Sequence, residues 1–131
     1  MKKSWLILSV SLCLCGQSYA GSGPDAVSAQ RAIVGEAAGC GYQVQLGVAC
    51  ALRNRGHLRG VYGVNARHNA TEPDWVWTAA AKAWTESATH DITNGANHFG
   101  NADDVRKGTF KGMTLTVVLG AGKNKTYFFK A

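Results

Sequence analysis

The sequence predicts a mainly helical α+β fold that ends in a small antiparallel β-hairpin. Two observations indicate this class. Apolar residues recur with helical spacing in three segments of the first 90 residues, whereas the last part of the chain alternates with the period of a strand. The length of 131 residues, with 46% hydrophobic and 17% charged residues, fits one globular domain and excludes a disordered chain.

The first twenty residues have the pattern of a secretory signal peptide. Two lysines form a basic start, residues 5–15 form an apolar run, and residues 18–20 fit the small-x-small cleavage pattern. We therefore expect residues 1–20 to be removed on export and residues 21–131 to form the exported domain. A buried N-terminal core helix is the alternative. No apolar run reaches the roughly 18 residues of a membrane-spanning helix, so we expect no stable membrane insertion after cleavage.

The charge balance favours an anionic partner. Removing the two lysines of residues 1–20 lowers the formal net charge from +6 to +4, which suits a bacterial envelope polymer. Nucleic acid is the rival partner, but the basic residues are scattered and cluster only at Arg53, Arg55 and Arg59. The sequence therefore predicts no nucleic-acid partner.

Two cysteines, Cys40 and Cys50, remain in the predicted exported domain. An oxidising compartment permits a disulfide between them. If the intervening segment is helical, their Cα atoms lie about 15 Å apart, whereas a disulfide tolerates less than about 7 Å. We therefore expect Cys50 to be a small buried residue and Cys40 to lie in a loop or at a helix cap.

The first two predicted helices are separated by glycines. Residues 25–38 have one helical face, which is formed by Ala29, Ala32, Ile33 and Glu36. Gly39 and Gly41 break this helix. Residues 42–55 are apolar over a wide arc, which predicts a central buried helix that Gly56 ends.

A loop and a third helix are predicted next. Residues 57–70 show no clean period and predict a long loop. The helix begins in residues 71–74, where Thr71 supplies a hydroxyl cap and Pro73 stands in the first turn. It ends near Thr89, and one of its faces carries Trp77, Ala81, Trp84 and Ala88.

The last segment changes period. Residues 91–101 are polar and rich in turn formers, with the sharpest turn at residues 94–95. Residues 113–119 alternate in the manner of a strand, residues 120–124 form a turn, and residues 126–130 form a second strand. These two strands form the predicted hairpin.

Glu36 is the most informative candidate for chemistry. It lies on the apolar face at the end of the first helix, where we expect its carboxyl group to be partly desolvated. A carboxylic acid that stays protonated near neutral pH can donate its proton to a leaving oxygen, as cleavage of a glycosidic bond requires. The alternative is an ordinary glutamate that faces water.

Histidines and tryptophans give weaker indications. The chain has four histidines, which are His57, His68, His90 and His98. Their spacing is not that of familiar zinc sites. A metal hydrolase built from separated histidines stays open as an alternative. No nucleotide or cofactor fingerprint occurs, so we predict no metal and no cofactor. His98 lies in a polar turn, where it is either a substrate contact or a surface histidine.

We expect Trp77 and Trp84 in the core, and Trp75 exposed, although all three could form a sugar-stacking platform.

Several motifs occur in a fixed order along the chain. They are residues 32–37 (AIVGEA), residues 51–56 (ALRNRG) and residues 91–99 (DITNGANHF), followed by a basic, strand-forming end. Together they resemble the cell wall hydrolases of the SleB/CwlJ type, which comprise the spore-cortex-lytic catalytic domain and its relatives. The resemblance covers nearly all of residues 29–130 and rests on the ordered combination.

The resemblance implies a compact lysozyme-like domain that cleaves the MurNAc–GlcNAc bond of peptidoglycan glycan strands, in characterised members as a lytic transglycosylase. The catalytic acid falls on Glu36, and neither a second carboxylate nor an attacking water is required. His98 is implied to contact the glycan or orient Glu36. Thr93 and Asn97 are implied as further glycan contacts, and Asn54 as a cap of the central helix.

The sequence departs from the family pattern in three places. Cys40 stands where relatives often have an acid. Residues 100–110 replace a loop that in many relatives carries an acid and aromatic residues. Residues 128–129 are Phe-Phe instead of the usual Phe-Tyr, which removes a hydroxyl group. Nothing indicates a spore context, so the predicted substrate is ordinary peptidoglycan in the periplasm or cell envelope.

Two other functions stay open at this point. The altered residues 100–110 motivate a non-catalytic module that binds the envelope on the same scaffold. A zinc amidase that cuts the peptide stem of peptidoglycan is the third hypothesis.

Overall fold

A computed structural model describes residues 23–131 of the protein. The predicted signal peptide, residues 1–20, lies outside the described residues. Within residues 23–131, no helix is long and apolar enough to cross a membrane. The elements in chain order are α1 (Ala26–Ala37), α2 (Tyr42–Arg55), the 3₁₀ helices η1 (Tyr62–Asn65) and η2 (Arg67–Thr71), α3 (Asp74–Glu86), β1 (His98–Gly100), α4 (Ala102–Arg106), β2 (Thr114–Leu119), the 3₁₀ helix η3 (Gly122–Asn124) and β3 (Thr126–Lys130).

Helix α1 begins at a side-chain cap and packs through small residues. The carboxylate of Asp25 accepts a hydrogen bond of 2.9 Å from the Ser28 N–H, which satisfies one of the free donors at the helix start. The buried face of α1 consists of Ala29, Ala32, Ile33, Val34 and Ala37. Because most of these side chains are short, α1 lies close to both α2 and α3.

Helix α2 is the centre of the core, as predicted. Residues 44–52 are buried without interruption. Gly41 before the helix and Gly56 after it have φ angles of 88° and 82°, a region that residues with a Cβ atom avoid. The predicted bounds are confirmed. Cys50 is buried and Cys40 is half-buried in the connection before α2, as predicted, and the two thiols are not bridged.

The segment that precedes α3 differs from the prediction. The Thr71 hydroxyl does not cap the helix; it donates to the His68 carbonyl at 3.2 Å. Helix α3 starts at Asp74, and the extended Pro73 occupies the cap position itself, so Thr71 lies too far upstream to reach the free N–H groups. Residues 57–70, predicted as a long loop, contain η1 and most of η2.

The buried face of α3 is rotated from the predicted one. It consists of Val76, Ala80, Ala83 and Trp84. The predicted face shares only Trp84 with it, because apolar residues surround most of this helix and the period does not fix one face. The helix ends at Glu86 rather than near Thr89. Trp84 is buried, Trp77 packs half-buried against the core and Trp75 is 67% exposed, as predicted.

A three-stranded antiparallel sheet has the order β1-β3-β2. The predicted hairpin of β2 and β3 is confirmed, and Val118 pairs with Tyr127 in it. The sequence did not predict β1, in which His98 pairs with Phe129, nor did it predict α4. The α+β class is therefore confirmed, with a sheet one strand larger than expected.

The sheet packs on α2 at a glycine. A Cβ atom on Gly47 would lie 2.7 Å from the Phe128 ring and 2.7 Å from the Leu119 side chain, so only glycine allows this approach. Phe128, on the central strand, is 0% exposed and fills the space between sheet and helix. Its ring also lies 6.1 Å from the ring of Phe99.

Phe128→Ala should destabilise the protein by about 3–5 kcal/mol, because it leaves a cavity between the sheet and α2. The measurement is the free energy of unfolding in urea. Leu115→Ala on β2 is the matched control, since Leu115 is 50% exposed and its loss should cost under about 1 kcal/mol. A loss below about 1 kcal/mol for Phe128→Ala would contradict the core position of this ring.

Candidate functional site

Glu36 lies in the last turn of α1, one residue before the helix ends. Its side chain is exposed, so the expectation of a partly desolvated carboxyl group is wrong for the free protein. The reason is that Glu36 lies in the last turn of α1, where its side chain lines two surface hollows instead of packing in the core. The Gly63 N–H donates a hydrogen bond of 2.9 Å to Glu36 Oε1, which fixes the orientation of the carboxyl group.

This hydrogen bond depends on a backbone contact between α1 and η1. A Cβ atom on Gly35 would lie 1.9 Å from the Gly63 carbonyl oxygen, so the two glycines touch backbone to backbone. Two side chains hold the contact in place. Asn69 Nδ2 donates to the Gly63 carbonyl at 2.9 Å, and His68 Nε2 lies 3.1 Å from the Gly35 carbonyl.

Two surface hollows meet at Glu36. Both are lined by Glu36, Phe99 and Asp104. The first, here called the basic hollow, has a volume of about 240 Å³ and is also lined by Cys40, Asn101, Lys123 and Lys125. The second, here called the aromatic hollow, has a volume of about 300 Å³ and is also lined by Arg55, Tyr62, His98 and Phe110. The two hollows adjoin at these three shared residues, Glu36 among them, and together they are here called the groove.

Strand β1 carries His98 to the aromatic hollow, and Asn97 orients its ring. His98 Nδ1 lies 2.9 Å from Asn97 Oδ1, which also accepts the Ala131 N–H at 3.0 Å. Partial burial, with the positive charges of Arg55 and His57 nearby, lowers the pKa of His98 below its ordinary value of 6.5. The ring is therefore neutral at pH 7, with the proton on Nδ1, and Nε2 is an acceptor for a ligand hydroxyl.

The structure removes Thr93 from the candidate glycan contacts. Its side chain is 0% exposed, and its hydroxyl donates to Asp91 Oδ1 at 2.6 Å. The same carboxylate accepts the N–H groups of Thr93 and Gly95 at 2.8 and 3.0 Å. Thr93 is thus a structural part of the loop that precedes β1, because its hydroxyl is committed to Asp91.

Asn54 also acts on this loop, not as the cap of α2 that the resemblance implies. Its Nδ2 donates to Asp91 Oδ2 at 3.0 Å and to the Ala96 carbonyl at 2.9 Å. The N–H of Gly56 closes α2 instead, through a hydrogen bond of 3.0 Å to the Leu52 carbonyl. Asn54 therefore ties the end of the central helix to the loop that leads to His98.

The sequence analysis missed Asp104, a second carboxylate that lines both hollows. Asp104 Oδ2 accepts the Asn101 N–H at 3.0 Å, and Asn101 Oδ1 accepts the Asp104 N–H at 2.9 Å. This reciprocal pair is a capping box at the start of α4. The Asn-x-x-Asp spacing of a capping box was present in the sequence and could have revealed the helix.

The described residues offer no zinc site. In residues 23–131, no group of three or more His, Cys, Asp or Glu side chains is placed to hold a metal ion. Of the four histidines, only His98 lines either hollow of the groove. The zinc amidase hypothesis therefore finds no set of ligands in this part of the chain.

No protein-family model, curated protein or solved structure matches this chain.

Gly35→Ala should lower the free energy of unfolding by about 1–3 kcal/mol, because the new methyl group would overlap the Gly63 carbonyl and push η1 off α1. Urea unfolding measures the loss. Gly39→Ala is the matched control, since a Cβ atom there meets nothing within 4 Å. Equal stability of Gly35→Ala and the wild type would disprove the close backbone contact.

Asp91→Asn should destabilise the fold at pH 7, by about 1–3 kcal/mol, because an amide cannot accept all the hydrogen bonds that the carboxylate accepts. Partial burial alone would raise the pKa of Asp91, but hydrogen bonds from Thr93, Asn54 and Gly95 outweigh it and hold this pKa below 3.8. A carboxyl group with a lowered pKa stabilises the fold above its ordinary pKa and loses that effect as the pH falls through the lowered value.

The difference in unfolding free energy between wild type and Asp91→Asn should therefore shrink as the pH is lowered from 5 towards 2. Chemical unfolding across this range measures it. Asp103→Asn is the control, because the exposed Asp103 pairs only with Arg106 one turn away and should change stability by under about 1 kcal/mol. A difference that stays constant with pH would contradict the role of the ionised Asp91.

Proposed function

We propose that this protein is an exported peptidoglycan-degrading enzyme that cleaves the MurNAc–GlcNAc bond as a lytic transglycosylase, with Glu36 as the catalytic carboxyl group. The observation that carries the proposal is the position of Glu36 where the basic and aromatic hollows meet. A polysaccharide bound in both hollows has sugar residues on both sides of Glu36, as cleavage within a strand requires. The helical body with a small sheet supports a lysozyme-like fold.

The reaction uses one carboxyl group twice. Protonated Glu36 donates its proton to the glycosidic oxygen while the bond from that oxygen to the muramoyl C1 breaks. The resulting carboxylate then removes the proton of the muramoyl 6-hydroxyl as this oxygen bonds to C1 and closes a 1,6-anhydro ring. Glu36 ends protonated, as it began, and no water is consumed.

The neighbours of Glu36 support these steps. The Gly63 N–H, 2.9 Å from Oε1, stabilises the carboxylate that forms after the first transfer and keeps it in place for the second. Neutral His98 offers its Nε2 to a sugar hydroxyl, with Asn97 holding the ring through Nδ1. In this proposal Glu36, His98 and Asn97 form the site, and Thr93 acts only through the loop.

The predicted leader and the charge of the groove support the location and the partner. Cleavage after residue 20 would place the domain in the periplasm or cell envelope, where peptidoglycan is the substrate. Lys123 and Lys125, which line the basic hollow together with the acidic Glu36 and Asp104, offer two cations to the anionic stems that the glycan carries. The proposal needs no cofactor and no nucleic-acid partner.

A specific observation favours a second candidate, a non-catalytic peptidoglycan-binding protein on the same scaffold. Glu36 is exposed in the free protein, whereas the sequence predicts a catalytic acid that is shielded from water. Hydrolysis by two carboxyl groups is a further variant, which the position of Asp104 at the same junction supports.

Digestion of purified sacculi, followed by mass spectrometry of the products, tests the enzyme proposal. Protein purified after expression of the full chain should release 1,6-anhydromuropeptides. Glu36→Gln should reduce the release by about 10²–10⁴-fold, because it removes the proton donor. Glu86→Gln is the control, since Glu86 lies on α3, where it accepts the Tyr42 hydroxyl, and does not line the groove.

Each other outcome identifies a different function. Products with ordinary reducing ends, lost in Asp104→Asn, would indicate hydrolysis. Binding to sacculi without any product would indicate the non-catalytic module. Full activity of Glu36→Gln would eliminate Glu36 as the catalyst.

A further inference from the structure

A third hollow extends the groove on one side. It has a volume of about 380 Å³ and shares Gly60, Val61 and Tyr62 with the aromatic hollow. The third hollow therefore adjoins the aromatic hollow at residues 60–62. A strand that leaves the aromatic hollow past these residues enters the third hollow.

Tyr62 lies where the aromatic and third hollows meet, and its side chain is 86% exposed. No other large hydrophobic residue described in the structure is as exposed. Exposure of an aromatic ring gives up the stabilisation that burial would provide. The exposed ring is therefore available to contact a ligand.

The backbone beneath Tyr62 is held on both sides. Val61 before it is buried, and its N–H donates to the Leu58 carbonyl at 3.0 Å. Gly63 after it donates to Glu36 at 2.9 Å and accepts from Asn69 at 2.9 Å. Tyr62 therefore lies on a turn whose backbone is hydrogen-bonded on both sides. The next residue in the chain, Gly63, is the one that orients Glu36.

The third hollow is uncharged. Besides Tyr62 and Gly60, it is lined by Ser28, Leu58, Val61, Val64 and Asn65. Apolar surface next to an aromatic ring, with a hydroxyl and an amide at hand, fits the face of a neutral N-acetylated sugar. It does not fit a peptide carboxylate, because none of the described residues that line it is a cation.

We propose that Tyr62 is a sugar-stacking residue that binds the glycan strand beyond the aromatic hollow, at a distance from the bond that is cleaved. The inference rests on the proposed function for the identity of the polymer. Aromatic stacking of this kind contributes affinity for long strands. Short oligosaccharides that fill only the aromatic hollow contact one side of the ring, whereas longer strands also cover its side towards the third hollow.

Binding of N-acetylglucosamine oligomers, measured by calorimetry, tests the proposal without any turnover. The background is Glu36→Gln, so that the ligand stays intact. Adding Tyr62→Ala should weaken binding of the hexamer by about 3- to 10-fold and weaken binding of the dimer by a smaller factor, because the dimer covers only one side of the ring. Tyr62→Phe should bind the hexamer within about 2-fold of the background, because the ring is kept.

Trp75→Ala is the matched control, since Trp75 is an exposed aromatic residue that lines none of the three hollows. It should bind the hexamer as the background does. Equal hexamer binding by Tyr62→Ala and the background would overturn the proposal, and so would an equal loss in Tyr62→Phe or in Trp75→Ala. Failure of the background to bind the hexamer would overturn it as well.

Two separate measurements distinguish a wrong role for Tyr62 from a wrong enzymatic function. Sacculus digestion by the wild type reports cleavage, whereas oligomer binding by Glu36→Gln reports recognition. A larger loss of affinity for the hexamer than for the dimer in Tyr62→Ala, together with no released muropeptide, would refute the enzyme and support the stacking residue.

Discussion

The contact between the backbones of Gly35 and Gly63 is the constraint on which the groove depends. It brings η1 so close to α1 that the Gly63 N–H reaches Glu36 Oε1 at 2.9 Å. It also sets the position of Tyr62, one residue earlier on the same turn. A side chain at either glycine would separate the two elements, because a Cβ atom on Gly63 would in turn lie 2.7 Å from Glu36 Cγ. The contact between the backbones of α1 and η1 therefore positions both Glu36 and Tyr62, which lines the aromatic hollow.

The exposure of Glu36 changes how its acidity has to arise. A buried carboxyl group is kept protonated by the protein itself, through desolvation. Glu36 faces water in the free protein, so the protein does not supply that desolvation. In the proposed mechanism the bound glycan supplies it, because a strand that fills the basic and aromatic hollows covers the carboxyl group between them. In the proposed mechanism, contacts with the strand on both sides of Glu36 therefore contribute to the chemistry as well as to affinity.

The sequence predicted α1 and α2 well, but it predicted the cap, buried face and end of α3 wrongly and missed α4 and β1, for a physical reason. The bounds of α2 follow from local signals, an apolar arc between Gly41 and Gly56, and those signals suffice. The Gly35–Gly63 contact joins residues far apart in the chain, and glycine leaves no side-chain pattern that would indicate its partner. Strand β1 has three residues, too few to show a period, and exists because β3 pairs with it.

The site residues also divide into those that the sequence predicts and those whose roles depend on contacts between distant parts of the chain. Glu36 and His98 could be named from the sequence as members of the site, and both line the groove. The burial of Thr93 could not be predicted, because it follows from the four hydrogen bonds that gather at Asp91. Asp104 reaches the groove only because α4 forms, and its carboxylate already caps that helix through the Asn101 N–H. A carboxylate committed to a cap is less free to act as a base, and this commitment favours a mechanism in which Glu36 alone carries the proton both ways.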